Sequence, residues 1–193
     1  MALLERRAAP LAEFVASLRA RTGYGTRIPD FDPWDGGVEA ECLFLLEAPG
    51  PKAVQSGFVS RNNPDESARN FWQLNREAEL PRELTVTWNI VPWYVGTGAQ
   101  IRAVTTDDIT LATPYLVELL VMLTKVRVIV LVGRKAERAR ELLTTRGRRY
   151  SLLRCPHPSP KCLNGRPERR DEIVRCCRSV LACLRPEPVR CVL

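Results

Sequence analysis

Three polar side chains stand at or near the carboxyl ends of apolar segments in this sequence of 193 residues: Glu47, Asn89 and His157. His157 is the only histidine, and the prolines at positions 156 and 158 stiffen the backbone on both sides of it. Imidazole has the ordinary side-chain pKa closest to neutrality, so His157 is a candidate for catalysis. A lone histidine is more often structural, so the residues that accompany it must decide.

The residue types that accompany His157 are suited to bind a nucleobase. The amide of Asn89 offers a donor and an acceptor, which can pair with one edge of a base. The ring of Phe58 can stack on a base face, which is worth roughly 1–3 kcal/mol. The imidazole of His157 can donate to an oxygen on which negative charge grows as the bond to the base breaks. The set favours recognition and expulsion of a flipped base, whereas no phosphate-binding GxxxxGK[ST] or GxGxxG pattern is present.

Four apolar segments must position these residues. They are predicted as strands near 42–46, 84–91, 126–132 and 150–155. Amphipathic patterns predict helices at 8–21, 64–78, 105–125, 134–145 and 167–184. Alternation of strands with helices predicts an α/β fold, a three-layer α/β/α sandwich with a parallel sheet. Ligands of such sheets bind beyond the carboxyl ends of the strands, so the polar residues should converge there.

Two segments between these elements are predicted to lack regular structure. Residues 51–64 should form a long irregular loop. Residues 22–37 are rich in Gly, Pro and Asp, and their apolar side chains should hold them against the domain, namely Tyr24, Ile28, Phe31 and Trp34.

Composition narrows the class of protein further. The net charge of +7 suits an anionic partner such as nucleic acid, although an Arg-rich chain can also reflect genome bias. No apolar run is long enough and free enough of charge to span a bilayer, so no membrane association is expected. The seven cysteines contain no CxxC pair, which argues against a zinc ribbon or an iron–sulfur site and fits a reduced, cytoplasmic protein.

Four motifs carry a resemblance: Glu47-Ala-Pro-Gly50, Gly57-Phe-Val-Ser-Arg61, Thr87-Trp-Asn89 and His157-Pro-Ser-Pro160. In order and spacing they resemble the uracil-DNA glycosylase superfamily, most closely its family 4, over about residues 40–180. The resemblance implies a single domain across 1–193 with a central four-stranded parallel sheet. Its core would span about 40–184, preceded by the helix and loop of 1–39. It also implies hydrolysis of the N-glycosidic bond of deoxyuridine in DNA, as in base-excision repair, without a metal.

The resemblance also implies roles. Phe58 would stack on uracil, Asn89 would read its N3 and O4 edge, and His157 would stabilise charge on O2, while backbone groups near Glu47 and Ala48 complete the pocket. The residues implied to contact the DNA backbone are Pro49, Gly50 and Ser159. The segment from Lys161 to Arg170, with Arg166, would wedge into the base stack or grip phosphates; a solvated helix start is an equal alternative.

Three departures from the family pattern matter. Ala48 stands where family 1 has a water-activating Asp, as in family 4, and Glu47 is the nearest alternative carboxylate for positioning water. Gly50 stands where family 1 excludes thymine with a Tyr. The four cysteine ligands usual in family 4 are not matched, so we expect no iron–sulfur cluster and no other cofactor.

Several functions stay open at this point. The leading hypothesis is a monomeric, monofunctional enzyme that acts on uracil-containing DNA. The alternatives are a glycosylase for another deaminated base such as hypoxanthine or xanthine, a non-catalytic binder of uracil or abasic DNA, and a basic nucleic-acid-binding protein without a pocket.

Overall fold

Helices alternate with short strands along most of the chain. The computed structural model describes residues 2–97, 101–145 and 149–185. The elements, in chain order, are α1 (Ala2–Thr22), β1 (Asp30–Phe31), β2 (Cys42–Leu46), α2 (Pro51–Ser56), β3 (Phe58–Val59), α3 (Glu66–Glu77), β4 (Thr85–Asn89), α4 (Thr106–Met122), β5 (Val128–Val132), α5 (Arg140–Thr145), β6 (Ser151–Cys155), α6 (Pro160–Leu163) and α7 (Pro167–Leu184).

The predicted parallel sheet is confirmed. Its four strands lie in the order β4-β2-β5-β6, and all neighbours are parallel. The register places Leu46 opposite Asn89 and Val132 opposite Cys155. The carboxyl ends of all four strands therefore finish at one edge, as the sequence pattern predicts. A second sheet of two short strands pairs β1 with β3.

Helices cover both faces of the four-stranded sheet. On one face the core includes Leu43 of β2, Trp88 of β4 and Leu131 of β5 with apolar side chains of α1 and α4. On the other face Phe44 of β2 and Val130 of β5 pack with α3 and α7. Since the central strands β2 and β5 are buried on both faces, their sequences are continuous apolar runs and do not alternate between polar and apolar residues. The result is the expected three-layer α/β/α sandwich.

Some local predictions are wrong. Residues 51–64 are not an irregular loop: they contain α2 and β3, joined by Gly57 at φ +80°, a left-handed conformation that suits glycine. The predicted helix 134–145 begins as a 3₁₀ turn at Ala136–Ala139 and becomes α-helical only at α5. In the loop after α1, Tyr24, Ile28 and Phe31 pack as expected, but the ring of Trp34 is 61% exposed.

Helix α4 follows its prediction closely. The side chains of Thr105 and Asp108 form a complete capping box at its start. The helix continues through Pro114. None of the helices in the described ranges is long and apolar enough to cross a membrane.

A buried cluster of charges ties the loops to the sheet. Arg61 follows β3 and donates to the Asp35 carboxylate at 2.7 Å and to the Thr85 hydroxyl at 2.7 Å. Arg82 donates to both Asp32 and Asp35. Burial is the largest cause that raises the pKa of Asp32, and repulsion from Asp35 adds to it. The cluster thus fixes the loop that carries Arg61 against the start of β4.

Replacement of Asp35 tests the importance of this cluster. The Arg61 and Asp35 side chains are 3% and 1% exposed. Asp35→Ala would leave a buried guanidinium without its carboxylate, so the free energy of unfolding should fall by about 3–5 kcal/mol. Urea denaturation measures this loss. Asp30→Ala is the matched control, because Arg19 remains bonded to the Ile28 carbonyl and the half-buried pair is worth only about 0–1 kcal/mol. Equal losses in both variants would refute this role for Asp35.

Candidate active site

A cavity of about 380 Å³ lies beyond the carboxyl ends of β2 and β4. Its lining brings together five of the residues singled out in the sequence: Ala48, Pro49, Gly50, Asn89 and His157. The volume falls in the range of small-molecule sites, which is roughly 300–1,000 Å³. The convergence of strand ends therefore produces a pocket large enough for a nucleobase.

Asn89 is the last residue of β4 and is only 3% exposed. Its amide nitrogen Nδ2 is buried and has no hydrogen-bond partner among the described residues. A buried donor without a partner costs about 1–3 kcal/mol. Because proteins rarely leave such a donor unpaired, and because Asn89 lines the cavity, its amide is suited to bind a ligand there.

Two more unpaired polar atoms border the same cavity. In the described part of the chain, five buried side-chain polar atoms lack a partner. Three belong to residues that line this cavity, namely Asn89 Nδ2, Thr87 Oγ1 and Arg61 Nε. Thr87 and Asn89 are two positions apart on β4, so both side chains project from one face of the strand. The concentration of unpaired polar atoms makes this cavity the candidate binding site.

Thr87 and Arg61 were quoted in the sequence motifs but had no predicted role. The period of two along β4, counted back from Asn89, was the available signal for Thr87. Arg61 had no such signal, since its place beside the cavity depends on its bonds to Asp35 and Thr85.

The loop after β6 orients His157. The backbone N–H of Ser159 donates to Nδ1 of the imidazole at 3.1 Å. An Nδ1 atom that accepts a hydrogen bond carries no proton, so in the neutral ring the proton is on Nε2. Gly133, the residue after β5, lies beside the His157 side chain. A Cβ atom at Gly133 would lie 3.2 Å from the His157 Cβ, and its φ is +80°. Both the space and the backbone therefore favour glycine beside His157.

Burial lowers the pKa of His157 below its ordinary value of 6.5. The carboxylates of Glu47 and Asp65 oppose this shift because they favour the charged imidazolium. Burial is the larger effect, so the neutral Nε2–H form is favoured near pH 7. The folded state binds this proton less well than the unfolded state does. Protonation of His157 therefore favours the unfolded state, and the free energy of unfolding falls as the pH falls below about 6.5.

The two carboxylates near His157 occupy different positions. Glu47 does not belong to the cavity lining; its Oε1 atom accepts from the Val104 N–H at 3.3 Å. Asp65 does line the cavity and is the N-cap of α3, where its Oδ1 atom accepts from the Ala68 N–H at 2.9 Å. Asp65 was expected only as part of a helix start. Its proximity to His157 arises from the packing of α3 against the loop, where Asn70 donates to the Pro158 carbonyl.

Phe58 does not join the other predicted residues. Its ring is 40% exposed and is not part of the cavity lining, whereas Val59 lines the cavity. Phe71 of α3 is the aromatic side chain in the lining, and it packs edge-on against Phe44. Stacking of Phe58 on a base stays a prediction.

The residues expected to contact DNA fall into three places. Pro49 and Gly50 line the cavity, and Ser159 acts through its backbone on His157. Lys161 lies in α6, a short helix that is not among the helices predicted from the sequence. Arg166 is exposed and borders a second groove rather than the cavity.

The cysteines of the described ranges bear on the iron–sulfur cluster that the family 4 pattern would require. Within 2–97, 101–145 and 149–185, no three side chains of the types His, Cys, Asp and Glu are grouped so that they could hold a metal ion. Burial raises the pKa of the Cys42 thiol and raises that of Cys177 to about 12, whereas a metal ligand must be a thiolate. Cys191 lies outside the described residues. The residues present do not fit the iron–sulfur cluster that the family pattern implies.

Parallel α/β/α sandwiches commonly bind small ligands in a pocket at the carboxyl ends of the strands. Residues 33–181 match the family model described as the uracil DNA glycosylase superfamily. The chain therefore belongs to this superfamily of DNA glycosylases, which confirms the resemblance seen in the motifs.

None of the curated proteins compared with this chain matches it. A candidate uracil DNA glycosylase from Methanosarcina acetivorans, solved by NMR in solution, is 18% identical, and the match covers 74% of this chain and 91% of that chain with a TM-score of 0.46.

The protonation of His157 can be measured directly, because the chain has a single histidine. The imidazole C–H signals in a proton NMR titration should give a pKa below 6.5 in the folded protein. Ser159→Ala retains the N–H and should leave this pKa unchanged. Ser159→Pro deletes the N–H at a φ of −68°, which proline adopts, so a proton can occupy Nδ1 and the pKa should rise. Equal pKa values in the two variants would rule out the Ser159 bond as a determinant.

The unpaired hydroxyl of Thr87 leads to an unusual stability prediction. Thr87→Val removes a buried polar atom that has no partner, so the free energy of unfolding should stay constant or rise by about 1 kcal/mol. Thr85→Val is the matched control on the same strand. Its hydroxyl accepts from Arg61 and donates to the Arg82 carbonyl, so that variant should lose about 1–3 kcal/mol. Urea denaturation compares them, and a loss at Thr87 as large as at Thr85 would show that its hydroxyl is paired.

Proposed function

We propose that the protein is a monofunctional DNA glycosylase that releases uracil from DNA and leaves an abasic site. One observation carries this proposal: the amide of Asn89 is buried and unpaired in a cavity that also holds an imidazole with a free Nε2–H. Uracil presents an N3–H donor and an O4 acceptor side by side. The Asn89 amide complements that edge, and membership of the superfamily supports DNA as the carrier of the base.

The target nucleotide must leave the base stack to enter the cavity, at a cost of a few kcal/mol. Contacts of the base with Asn89 and with the apolar walls of the cavity would offset part of this cost. These walls include Phe71 and Leu46. The hydroxyl of Thr87 offers one further donor or acceptor. On this proposal the polar atoms left unpaired in the free protein obtain their partners from the base.

Bond cleavage then depends on the leaving group. The bond between the sugar C1′ and uracil N1 breaks, its electron pair leaves with uracil, and charge spreads to O2. The Nε2–H of neutral His157 can donate to that oxygen, which lowers the barrier without a full proton transfer. The lowered pKa keeps the ring uncharged at pH 7, and the neutral ring still donates through its one N–H.

Water completes the reaction by adding its oxygen to C1′ and giving up a proton to solvent or to a carboxylate. Ala48 provides no carboxylate at the position used by family 1. Glu47 and Asp65 both interact electrostatically with His157, so their negative charges would also stabilise a cationic sugar close to that ring. Of the two, Asp65 borders the cavity and is the stronger candidate to position the water.

A second substrate deserves a test. Hypoxanthine presents N1–H and O6 in the same donor and acceptor order as the N3–H and O4 of uracil. A side chain at Gly50 would meet no atom within 4 Å, so nothing at this position narrows the cavity. Gly50 therefore provides no side chain that would exclude a purine or the thymine methyl group.

A panel of lesions tests the proposal. The purified protein is incubated with oligonucleotides that contain one uracil, hypoxanthine, xanthine or thymine, and abasic sites are detected by alkaline cleavage. We expect uracil release. His157→Ala and Asn89→Ala should each lower the rate by roughly 10²–10³-fold, the size of the loss when one preorganised donor is removed. Intact uracil DNA after prolonged incubation with the wild type would refute the activity.

The same assay separates the carboxylates. Asp65→Asn removes the charge but retains a good N-cap, so a large loss of rate would reflect chemistry rather than a weakened helix. Glu47→Gln is the matched change on the other carboxylate. We expect the larger loss at Asp65; a larger loss at Glu47 would assign the water to Glu47.

A further inference from the structure

The open edge of the central sheet forms a second groove, of about 1200 Å³. Its base is β6, the outermost strand, and one of its walls is a face of α7. The opposite wall comes from the segment that follows β5 and includes Arg134 and Arg140. The groove thus runs along the side of the sheet, away from the cavity that binds the base.

Positive charge dominates this groove. Six arginines line it against two glutamates: Arg134, Arg140, Arg154, Arg166, Arg169 and Arg175 against Glu137 and Glu172. The groove lining therefore has a net charge of +4, compared with +7 for the whole chain. A moderately basic chain therefore has much of its excess on one surface, which a composition that merely reflects genome bias would not require.

Much of this charge is not neutralised within the protein. Arg154 lies 3.7 Å from Glu137, and Arg169 lies 3.2 Å from Glu172. Arg134, Arg140 and Arg175 form no ion pair with any described residue. Guanidinium groups bind phosphate and carboxylate well, so an anionic ligand fits here. Because the exposed large apolar side chains of the described chain all lie elsewhere, the groove offers little to a partner that binds through apolar contacts.

The groove meets the cavity at the catalytic loop. His157 lines both, and Pro156 and Gly133 line the groove next to it. We propose that this groove holds the sugar–phosphate backbone of the DNA on one side of the flipped nucleotide. The inference rests on the proposed function, in that a nucleotide in the cavity must continue into a strand, and the groove is a basic path that begins at the cavity.

The dimensions agree with such a ligand. Four residues of β6, from Leu152 to Cys155, line the groove, so its floor extends about 13 Å at 3.3 Å per residue. DNA carries one phosphate per strand for about each 3.4 Å of helix axis. The groove is therefore long enough to contact several phosphates of one strand. Binding of the backbone in the groove should depend on charge rather than on base sequence.

Salt dependence of binding tests this inference without any glycosylase activity. Binding of uracil-free oligonucleotides is followed by fluorescence anisotropy across a series of salt concentrations. Each phosphate contact contributes about 0.7–0.9 to the slope of log K against log salt. Arg175→Ala and Arg140→Ala should each lower the slope by about one, and the double variant by about two.

Arg178→Ala is the matched control. It lies three residues from Arg175 on the same helix, is exposed, and does not line the groove. It changes the net charge equally and should leave the slope unchanged. If the double variant has the same slope as wild type, or the same slope as Arg178→Ala, the groove does not bind the backbone and the inference is overturned.

A second readout uses single-stranded substrates in which uracil is moved from one end to the other. With a groove on one side only, wild-type release should require flanking nucleotides on one side, and the double variant should lose that asymmetry. Wild-type release that is symmetric about the uracil would overturn the inference. If wild type releases no uracil at all, the proposed function fails, while the anisotropy slopes still decide the groove.

Discussion

The helices on both faces of the sheet impose the constraint on which the rest of this molecule depends. Strands β2, β4 and β5 are buried on both sides, so a polar side chain within them must find a partner or face a cavity. Thr85 is satisfied by Arg61 and Arg82. Thr87 and Asn89 are not, and they lie where β4 meets the cavity. The cost of these unpaired groups is the physical argument for the proposed binding of a ligand with complementary polar atoms.

Partial burial gives His157 properties that suit an electrostatic role. The imidazole is half-buried between Gly133, the proline-rich loop and the cavity, so it loses part of its solvation, and its pKa falls despite the two nearby carboxylates. The N–H of Ser159 then selects the tautomer that keeps the Nε2 proton available. Orientation therefore comes from the backbone of a stiff segment, which limits the rotation of the ring and needs no third side chain to hold it.

The sequence predicts the sheet well and the cavity in part. Strands buried on both faces appear as apolar runs, and their carboxyl ends place Asn89 and His157 together whatever the details of packing. Strand β4 alternates polar with apolar residues, so its period of two places Thr87 on the same face as Asn89. Thr87 is missed because the prediction treats this segment as one buried apolar strand. Helix α2 is missed because its six residues contain no repeat of the helical period and depend on a left-handed Gly57. In β3, the pairing with β1 decides which of Phe58 and Val59 turns to the cavity, and a two-residue strand carries no pattern that reveals this.

The two proposed surfaces divide the charges of the substrate between them. The causes of the His157 shift include Glu47 and Asp65 but no arginine, although the arginine-lined groove also reaches this ring. Exposed guanidinium groups are screened by solvent, whereas the partly enclosed carboxylates are screened less. The charges that act on the His157 imidazole are therefore those of the two carboxylates rather than those of the groove arginines. In the proposed reaction these carboxylates would stabilise a sugar that becomes cationic beside His157, while the arginines of the groove would bind a phosphate backbone that lies away from it.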